Sequence, residues 1–406
     1  MQRESIERAR RSLRLPGRSI SSQNTVPAPA NLRDKMPDMK TFGAFAFCVL
    51  SFVFVQPKAA NAQSFATADG SLQFAQLGDF KLRGGGVIND FRLGYRTLGR
   101  LNSARSNGIL WPTWLGGTTE NLLQFIGPGK VVDTTNYFVV LVDAIGNGVS
   151  SSPSNSNKQP LMKFPVFTIR DMVESEHRLL TEVLHISHLR AVMGISMGGM
   201  QTFEWMLAYP DFMDLAIPIV GSPQSTSFDK LLWTAQIDAL KLDPAWNNGN
   251  PTGPLMRGFA ISEEIGQMNL TSPAYRVTHT GPNDFPAFVA DLKKRAVEDG
   301  GAAWNQIRQR EAIIAMDIPG EYGQTLTQVA KNVRAKLLVI ISPQDHLVNP
   351  IPAQEFARTI GAPIVAMDSP CGHISPDCIS MGPTVAKFLV DPASVHTETL
   401  HDPVNH

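Results

Sequence analysis

The sequence predicts an α/β fold in which a mostly parallel central sheet is flanked by helices and carries an inserted helical cap. Short apolar, β-branched runs alternate with segments of helical spacing, which is typical of a parallel sheet buried on both faces. Between residues 222 and 332 this alternation stops, and helical pieces follow one another through Asn-, Gly- and Pro-rich turns. Hydrophobic residues make up 43% of the chain and charged residues 18%, as expected for a globular protein with a large core.

The predicted core begins with an antiparallel edge over residues 87–98 and continues with six buried strands. These strands are expected at residues 108–111, 137–142, 189–193, 215–220, 337–341 and 363–367. Helices are expected at residues 169–184 and 200–207, where the apolar pattern is helical. The α/β core would therefore comprise residues 63–221 and 333–390.

The helical cap is predicted over residues 222–332, between two strands of the core. Its helical pieces are expected at residues 230–242, 288–297 and 302–315. Inserts of this kind commonly form one wall of an active site. The polar tail over residues 391–406 is expected to be loose.

Residues 1–62 are predicted to be an N-terminal extension and signal peptide, separate from the fold. Lys40 precedes an apolar run over residues 42–55, and an A-x-A site ends at Ala62, which together form the pattern of a secretory signal over about residues 36–62. We expect cleavage after Ala62 and a periplasmic or secreted protein. The run is shorter than the roughly 20 residues that span a bilayer, so no stable membrane anchor is expected after cleavage. A twin-arginine signal at Arg10-Arg11 is the alternative.

Two cysteines, Cys371 and Cys378, remain after Cys48 is removed with the signal. In an oxidising compartment, a pair seven residues apart can close a small disulfide loop. That loop would enclose His373. Two free thiols are the alternative, because the sequence does not establish the Cα separation that a disulfide requires.

Charge and motifs narrow the classes of partner. The chain has 36 Lys and Arg residues against 36 Asp and Glu residues, so no overall field attracts nucleic acid. It contains no zinc-type Cys/His spacing and no phosphate-binding GxxxxGK[ST] loop. We therefore expect a small-molecule ester or acyl donor as ligand, with no cofactor, no metal and no nucleic acid.

A G-x-S-x-G motif surrounds Ser196, in the run Gly194-Ile195-Ser196-Met197-Gly198. Small residues on either side of the serine permit the sharp strand-to-helix turn that exposes a nucleophile. The motif is frequent by chance, but here it follows the predicted strand 189–193 and precedes a predicted helix. Ser196 is therefore the predicted nucleophile of an α/β-hydrolase fold.

A serine hydroxyl needs a base and an orienting acid, which this fold supplies in the order Ser, Asp, His. Asp345 lies just beyond the predicted strand 337–341, and His373 follows the next strand. Both positions are carboxyl ends of parallel strands, where open α/β sheets place their sites. Asp368 and His346 fit this loop geometry less well, so Asp345 and His373 complete the predicted triad.

The oxyanion that forms during acyl transfer needs two N–H donors. One is expected from Met197, the residue after the nucleophile. The other is expected from Leu115, in the loop after an early strand, where Gly116 and Gly117 permit a close approach to the substrate. A simple turn at these glycines is the alternative.

With these residues in place, the chain resembles the homoserine O-acetyltransferase branch of the α/β hydrolases over residues 101–389, apart from most of the cap. The matching runs are Gly127-Pro128-Gly129-Lys130-Val131-Val132-Asp133-Thr134, Met197-Gly198-Gly199-Met200-Gln201, Glu204-Trp205, Tyr209-Pro210, Asp345-His346-Leu347 and Gly372-His373. The resemblance implies acyl transfer from a thioester or ester through an acyl-serine intermediate, in a chain that is often a homodimer.

Two positions depart from that family. Its homoserine site has an arginine in the first cap helix and an aspartate directly after the catalytic histidine, and here these positions hold Ile237 and Ile374. A zwitterionic acceptor would lose its charged partners, and an exported enzyme would not meet acetyl-CoA. We therefore predict an esterase in which water resolves the acyl-Ser196 intermediate.

Two alternatives to the esterase stay open. A homoserine O-acetyltransferase or related O-acyltransferase would use an acyl-CoA donor and would need a basic residue reaching the pocket from the cap, such as Lys230 or Lys241. A binding module that has lost catalysis is the non-enzymatic alternative.

Overall fold

A computed structural model describes residues 68–299 and 302–402 of the chain. The predicted extension and signal peptide over residues 1–62 lie outside the described residues, and so does Cys48. Within the described ranges, no helix combines the length and the apolar content needed to cross a bilayer.

The central sheet contains eleven strands among the described residues. They are β1 (Ala68–Asp69), β2 (Gln73–Lys81), β3 (Val87–Gly99), β4 (Gly108–Pro112), β5 (Phe138–Val142), β6 (Leu189–Ile195), β7 (Met213–Ile219), β8 (Lys336–Leu337), β9 (Val339–Ile341), β10 (Ile364–Asp368) and β11 (Glu398–His401). The spatial order is β1-β3-β5-β4-β6-β7-β9-β10-β11, with β2 paired to β3 and β8 to β7. Strands β1, β2 and β5 each pair antiparallel with β3, and all the other pairs in the sheet are parallel. The predicted α/β fold class is confirmed.

Alternate residues of the parallel strands pack into two apolar layers, one on each face of the sheet. In β4, Leu110 belongs to one buried cluster, while Ile109 and Trp111 belong to the other. Both faces are therefore covered, which explains why these strands have continuous apolar sequences. Complete burial of an aliphatic side chain of this size contributes about 1.5–3 kcal/mol.

Helices cover both faces of the sheet and form the cap. They are α1 (Thr119–Leu122), α2 (Ile169–Arg178), α3 (Met197–Ala208), α4 (Ser227–Lys241), α5 (Met256–Leu270), α6 (Pro273–His279), α7 (Phe285–Asp299), α8 (Ala303–Ile314), α9 (Ile318–Glu321), α10 (Leu326–Ala330), α11 (Ile351–Thr359), α12 (Ser375–Cys378) and α13 (Gly382–Val390). A π-helical turn, Leu179–Val183, extends α2.

Helices α4 to α10 lie between β7 and β8 in the chain, where the sequence predicts the cap. The cap has a small apolar cluster of its own, which includes Ile237, Phe259 and Trp304. Thr226 caps the first cap helix through a capping box with Asp229. The other carboxylate oxygen of Asp229 accepts the N–H of Asn349, in the core, at 2.9 Å. A cap residue is thereby tied to the core loop that carries Asp345.

The expectation of a loose tail over residues 391–406 is wrong for its described part. Strand β11 pairs in parallel with β10, from Val365 opposite Glu398 to Asp368 opposite His401. Three of the four β11 side chains are exposed. Backbone hydrogen bonds place this edge strand, and of its side chains only Leu400 packs against a buried apolar cluster. The strand therefore carries no apolar alternation that a sequence pattern could reveal.

Candidate active site

Ser196 occupies a sharp turn between β6 and α3, with φ at 58° and ψ at −120°. A left-handed φ is strained for a residue with a side chain, and it is maintained here by the close packing around the turn. A Cβ on Gly198 would lie 2.6 Å from the carbonyl oxygen of Pro112, and one on Gly194 would overlap Gly198. The glycines of the motif therefore allow the helix to start directly above the sheet, with the serine at its apex.

Three side chains from separate loops meet at this apex. The Oγ of Ser196 donates to Nε2 of His373 at 2.8 Å, and Nδ1 of His373 donates to Oδ2 of Asp345 at 2.7 Å. The other oxygen of Asp345 accepts the backbone N–H groups of Leu347 and Val348, both at 2.9 Å. All three members are more than nine-tenths buried. The structure thus brings together the three residues that the sequence singled out.

The loop that carries His373 is attached at both ends. A disulfide joins Cys371 and Cys378, whose Cα atoms are 6.6 Å apart. Gly372 has φ of +64°, and a Cβ there would lie 3.0 Å from Cα of Thr271 in the cap. The next cap residue, Ser272, donates its N–H to the carbonyl of Pro370 at 3.1 Å. The imidazole is therefore positioned by a disulfide on one side and by the cap on the other.

The loop after β4 is held in place by hydrogen bonds of its two glycines. The N–H of Gly116 donates to Oε1 of Gln309 at 2.9 Å, and the N–H of Gly117 donates to the carbonyl of Trp114 at 3.0 Å. These two groups are engaged within the protein, and Leu115 lines the cavity next to Ser196. Met197 is the first residue of α3, where backbone N–H groups have no partner within the helix. Leu115 and Met197 stay the predicted donors.

A cavity of about 340 Å³ extends from Ser196 and His373 toward the cap. Its size is at the lower end of ligand-binding cavities. Apart from these two residues, it is lined by Trp114, Leu115, Gln124, Phe125, Ile195, Trp233, Gln236, Glu263, Gly266, Leu270, Gln306, Arg310, Leu347, Ile374, Pro376 and Asp377. The described residues contain no cluster of three or more His, Cys, Asp or Glu side chains suited to a metal ion.

One cation lines the cavity, and it is not one that the sequence suggested. Lys230 and Lys241 are exposed and do not border the cavity, and Ile237 packs inside the cap cluster. Arg310, from α8, lines the cavity and is 2% exposed. Burial lowers the pKa of Arg310 to about 10, against the opposing effect of nearby Glu263. The basic residue that reaches the cavity from the cap is therefore Arg310, and not Lys230 or Lys241.

A signal for this cation does exist in the sequence. Gln306 and Arg310 are four residues apart in α8, and both line the cavity. Residues at this spacing share a helix face. The sequence therefore shows that α8 has two polar side chains on one face. It does not show that this face borders the cavity, because that depends on how the helix is oriented.

Comparison with known proteins finds one matching family and two kinds of similar enzyme. A family model described as alpha/beta hydrolase fold matches residues 114–377. A probable esterase of Corynebacterium glutamicum is 39% identical over 191 residues, which cover 46% of this chain and 55% of that protein. A homoserine O-acetyltransferase of Methanococcoides burtonii is 35% identical over 320 residues, covering 69% of this chain and 64% of that protein. The match thus spans between about half and two thirds of these relatives.

A solved structure, that of the acetyl esterase MekB, superposes with a TM-score of 0.73. It is 26% identical, and the superposition covers 79% of this chain and 97% of that chain. The similarity therefore includes the cap as well as the sheet.

Proposed function

The chain belongs to the α/β hydrolase fold family, and we propose that it hydrolyses small carboxylic esters through an acyl-Ser196 intermediate. The main support is the chain of hydrogen bonds from Ser196 through His373 to Asp345, at 2.8 and 2.7 Å, beside a cavity of small-molecule size. This arrangement supplies a nucleophile, a general base and a group that orients the base.

The reaction follows from this geometry. As the Oγ of Ser196 attacks the ester carbonyl, its proton passes to Nε2 of His373, and the carbonyl oxygen becomes an oxyanion. The N–H groups of Met197 and Leu115 would stabilise that charge. The intermediate then collapses: the carbonyl re-forms, the bond to the alcohol oxygen breaks, and His373 protonates the leaving alcohol. The acyl group is left on Ser196.

In the second half, His373 removes a proton from water, and the resulting hydroxide attacks the acyl-serine. Collapse of this intermediate releases the carboxylic acid and returns the proton to Ser196. Asp345 accepts the Nδ1–H throughout, so it keeps the imidazole in the tautomer that acts as base. Hydrolysis is favoured over transfer because Ile237 and Ile374 stand where the homoserine O-acetyltransferases have charged residues, and because a probable esterase is among the similar proteins.

The direct test is hydrolysis of p-nitrophenyl acetate by the purified protein and by Ser196→Ala. We expect steady turnover by the wild type and a loss of about 10⁴- to 10⁶-fold in kcat for the variant, because the nucleophile is removed. A fluorophosphonate probe should label the wild type alone. A wild type that neither turns over the ester nor reacts with the probe would instead favour the binding module.

Acyl transfer to an alcohol is the second candidate, and Arg310 in the cavity is the observation that favours it. The guanidinium of Arg310 supplies a positive charge to the cavity, which Ile237 does not provide. The two candidates differ in product: with acetyl-CoA and homoserine both present, a transferase forms O-acetylhomoserine, whereas the esterase releases acetate. Efficient formation of the acetylated amino acid, with little ester hydrolysis, would overturn the esterase proposal.

A further inference from the structure

Three residues that line the cap side of the cavity have a buried polar atom without a hydrogen-bond partner in the described chain. These atoms are Nε1 of Trp233, Oε1 of Gln306 and Nη1 of Arg310. Buried polar groups in native proteins are nearly always paired, and exceptions call for an explanation. Nε1 of Trp233 and Nη1 of Arg310 are both donors in residues that border the same cavity, so an acceptor bound in the cavity is the partner that both can share.

The charge of Arg310 is only weakly compensated by the protein. Its Nε donates to Oε1 of Gln236 at 3.3 Å, which is a long hydrogen bond. Its Nη2 lies 3.9 Å from Oε1 of Glu263, whose side chain is 31% exposed. A buried cation with one distant acid is costly, and a closer anion relieves that cost. The cap side of the cavity therefore matches an anionic group better than a neutral or a cationic one.

The guanidinium shares one small cavity with the reacting serine. Ser196 and His373 border the cavity at the sheet, while Trp233 and Arg310 border it at the cap. A volume of about 340 Å³, at the lower end of ligand-binding cavities, accommodates a small ester. An ester whose carbonyl lies at Ser196 would therefore place its other end against the cap.

We propose that the preferred substrates are small esters that carry a carboxylate, which Arg310 and Trp233 bind as hydrogen-bond donors. A guanidinium suits this role because its planar N–H groups match the geometry of a carboxylate. The proposal rests on the proposed ester hydrolysis and names its substrate class. Glu263 partly compensates the positive charge of Arg310, and it would repel a carboxylate bound beside it.

The test compares matched pairs of esters, with acid release followed by titration. The carboxylate is placed in the alcohol half in 3-acetoxypropanoate, against butyl acetate, and in the acyl half in methyl hydrogen glutarate, against methyl pentanoate. We expect the wild-type kcat/KM to favour the carboxylate ester by about 10- to 100-fold in one pair, the range for a charge-assisted hydrogen bond. That pair identifies the half that faces the cap.

Three variants, at two residues of opposite charge, sharpen the test. Arg310→Met should abolish the preference, mainly through a higher KM for the carboxylate ester, and Arg310→Lys should restore part of it. Glu263→Gln should lower the KM for the same ester, because it removes a repelling charge. If Arg310 had a purely structural role, its substitution would change kcat/KM equally for both esters of a pair. The readout is therefore the ratio of the two kcat/KM values within a pair.

The outcomes separate the two proposals. If the wild type hydrolyses both members of each pair equally well, or Glu263→Gln and Arg310→Lys leave the ratio unchanged, the carboxylate inference is overturned while ester hydrolysis stands. If no ester is hydrolysed and Ser196 does not react with the probe, the proposed function itself fails. The wild-type ratio and Glu263→Gln decide the matter even if Arg310→Met does not fold.

Discussion

The two sides of the cavity differ in how completely the protein satisfies its own polar groups. On the sheet side, Ser196, His373 and Asp345 form an unbroken chain of hydrogen bonds. On the cap side, Trp233 and Arg310 keep buried donors without a partner in the described chain. We infer that the three side chains on the sheet side are fully paired before a substrate arrives, whereas the cap side is completed by what it binds.

The difference has a structural origin. The reacting residues follow β6, β9 and β10, which are held in one sheet by parallel backbone pairing. The cap has a smaller apolar cluster of its own, while other cap side chains, such as Leu232 and Ile313, belong to the main apolar cluster of the core. Polar contacts, such as that of Ser272 with Pro370, also join the cap to the core. Changes on the sheet side should therefore affect every substrate alike, and changes on the cap side should depend on the substrate.

The largest effect is expected from a change at the far end of the triad. Asp345→Asn should lower kcat by about 10³- to 10⁴-fold for charged and neutral esters alike, because the wrong imidazole tautomer is stabilised. Steady-state kinetics on both members of an ester pair measures this. Asp368→Asn is the matched control, since that exposed rival acid pairs with His401 instead. A loss confined to carboxylate esters would break the distinction between the two sides.

A smaller effect is expected where the two sides meet, at the loop of His373. Cys371→Ser combined with Cys378→Ser should lower kcat several-fold with little change in KM, because the imidazole loses one of its two restraints. The free energy of unfolding should fall by about 2–3 kcal/mol, the range for a short disulfide loop. Wild-type kcat should fall similarly in a reductant that has no effect on the variant. Unchanged kcat in the variant would show that the cap contact alone positions His373.

The smallest effect concerns an unpaired polar atom far from the cavity. Glu176, in α2, accepts Nε1–H of Trp205 at 2.6 Å, and its Oε1 is buried without a partner. Burial raises the pKa of Glu176 to about 8, so its contribution to stability is complete below the unfolded value of 4.5 and is lost as the pH rises toward 8.

Glu176→Gln should therefore raise the Tm by a few degrees at pH 9 relative to the wild type, with little difference at pH 4. Thermal unfolding at the two pH values measures the effect, and the partly exposed Glu174→Gln serves as control. Equal Tm values at pH 9 would show that ionisation of the buried Glu176 carboxyl has no measurable cost.

The three residues Ser196, Asp345 and His373 were predictable because each lies beside a local sequence signal. Ser196 lies in a short motif between a strand and a helix, and Asp345 and His373 each follow a β-branched run. The order of the three residues along the chain is set by the order of the strands. No knowledge of helix orientation was needed.

The cap side of the cavity was not predictable in the same way. The sequence suggested Lys230 and Lys241 as cations, and both are exposed. Arg310 reaches the cavity because α8 packs with that face inward, next to Gln236, which is 74 residues away in the chain. Which face of an amphipathic helix borders a cavity depends on its neighbours and not on its own periodicity.

The sequence by itself determined the fold class and the order of the three residues that the structure brings together, because strand periodicity and strand-end motifs are local properties of the chain. The tertiary structure alone decided what the cavity presents to a substrate. Gln309 holds the loop after β4 across 193 residues, and Arg310 enters from the cap. The tertiary structure also placed β11 on the sheet, in parallel with β10. Such contacts join segments that are far apart in the chain and share no sequence pattern. They are therefore visible only in the folded structure.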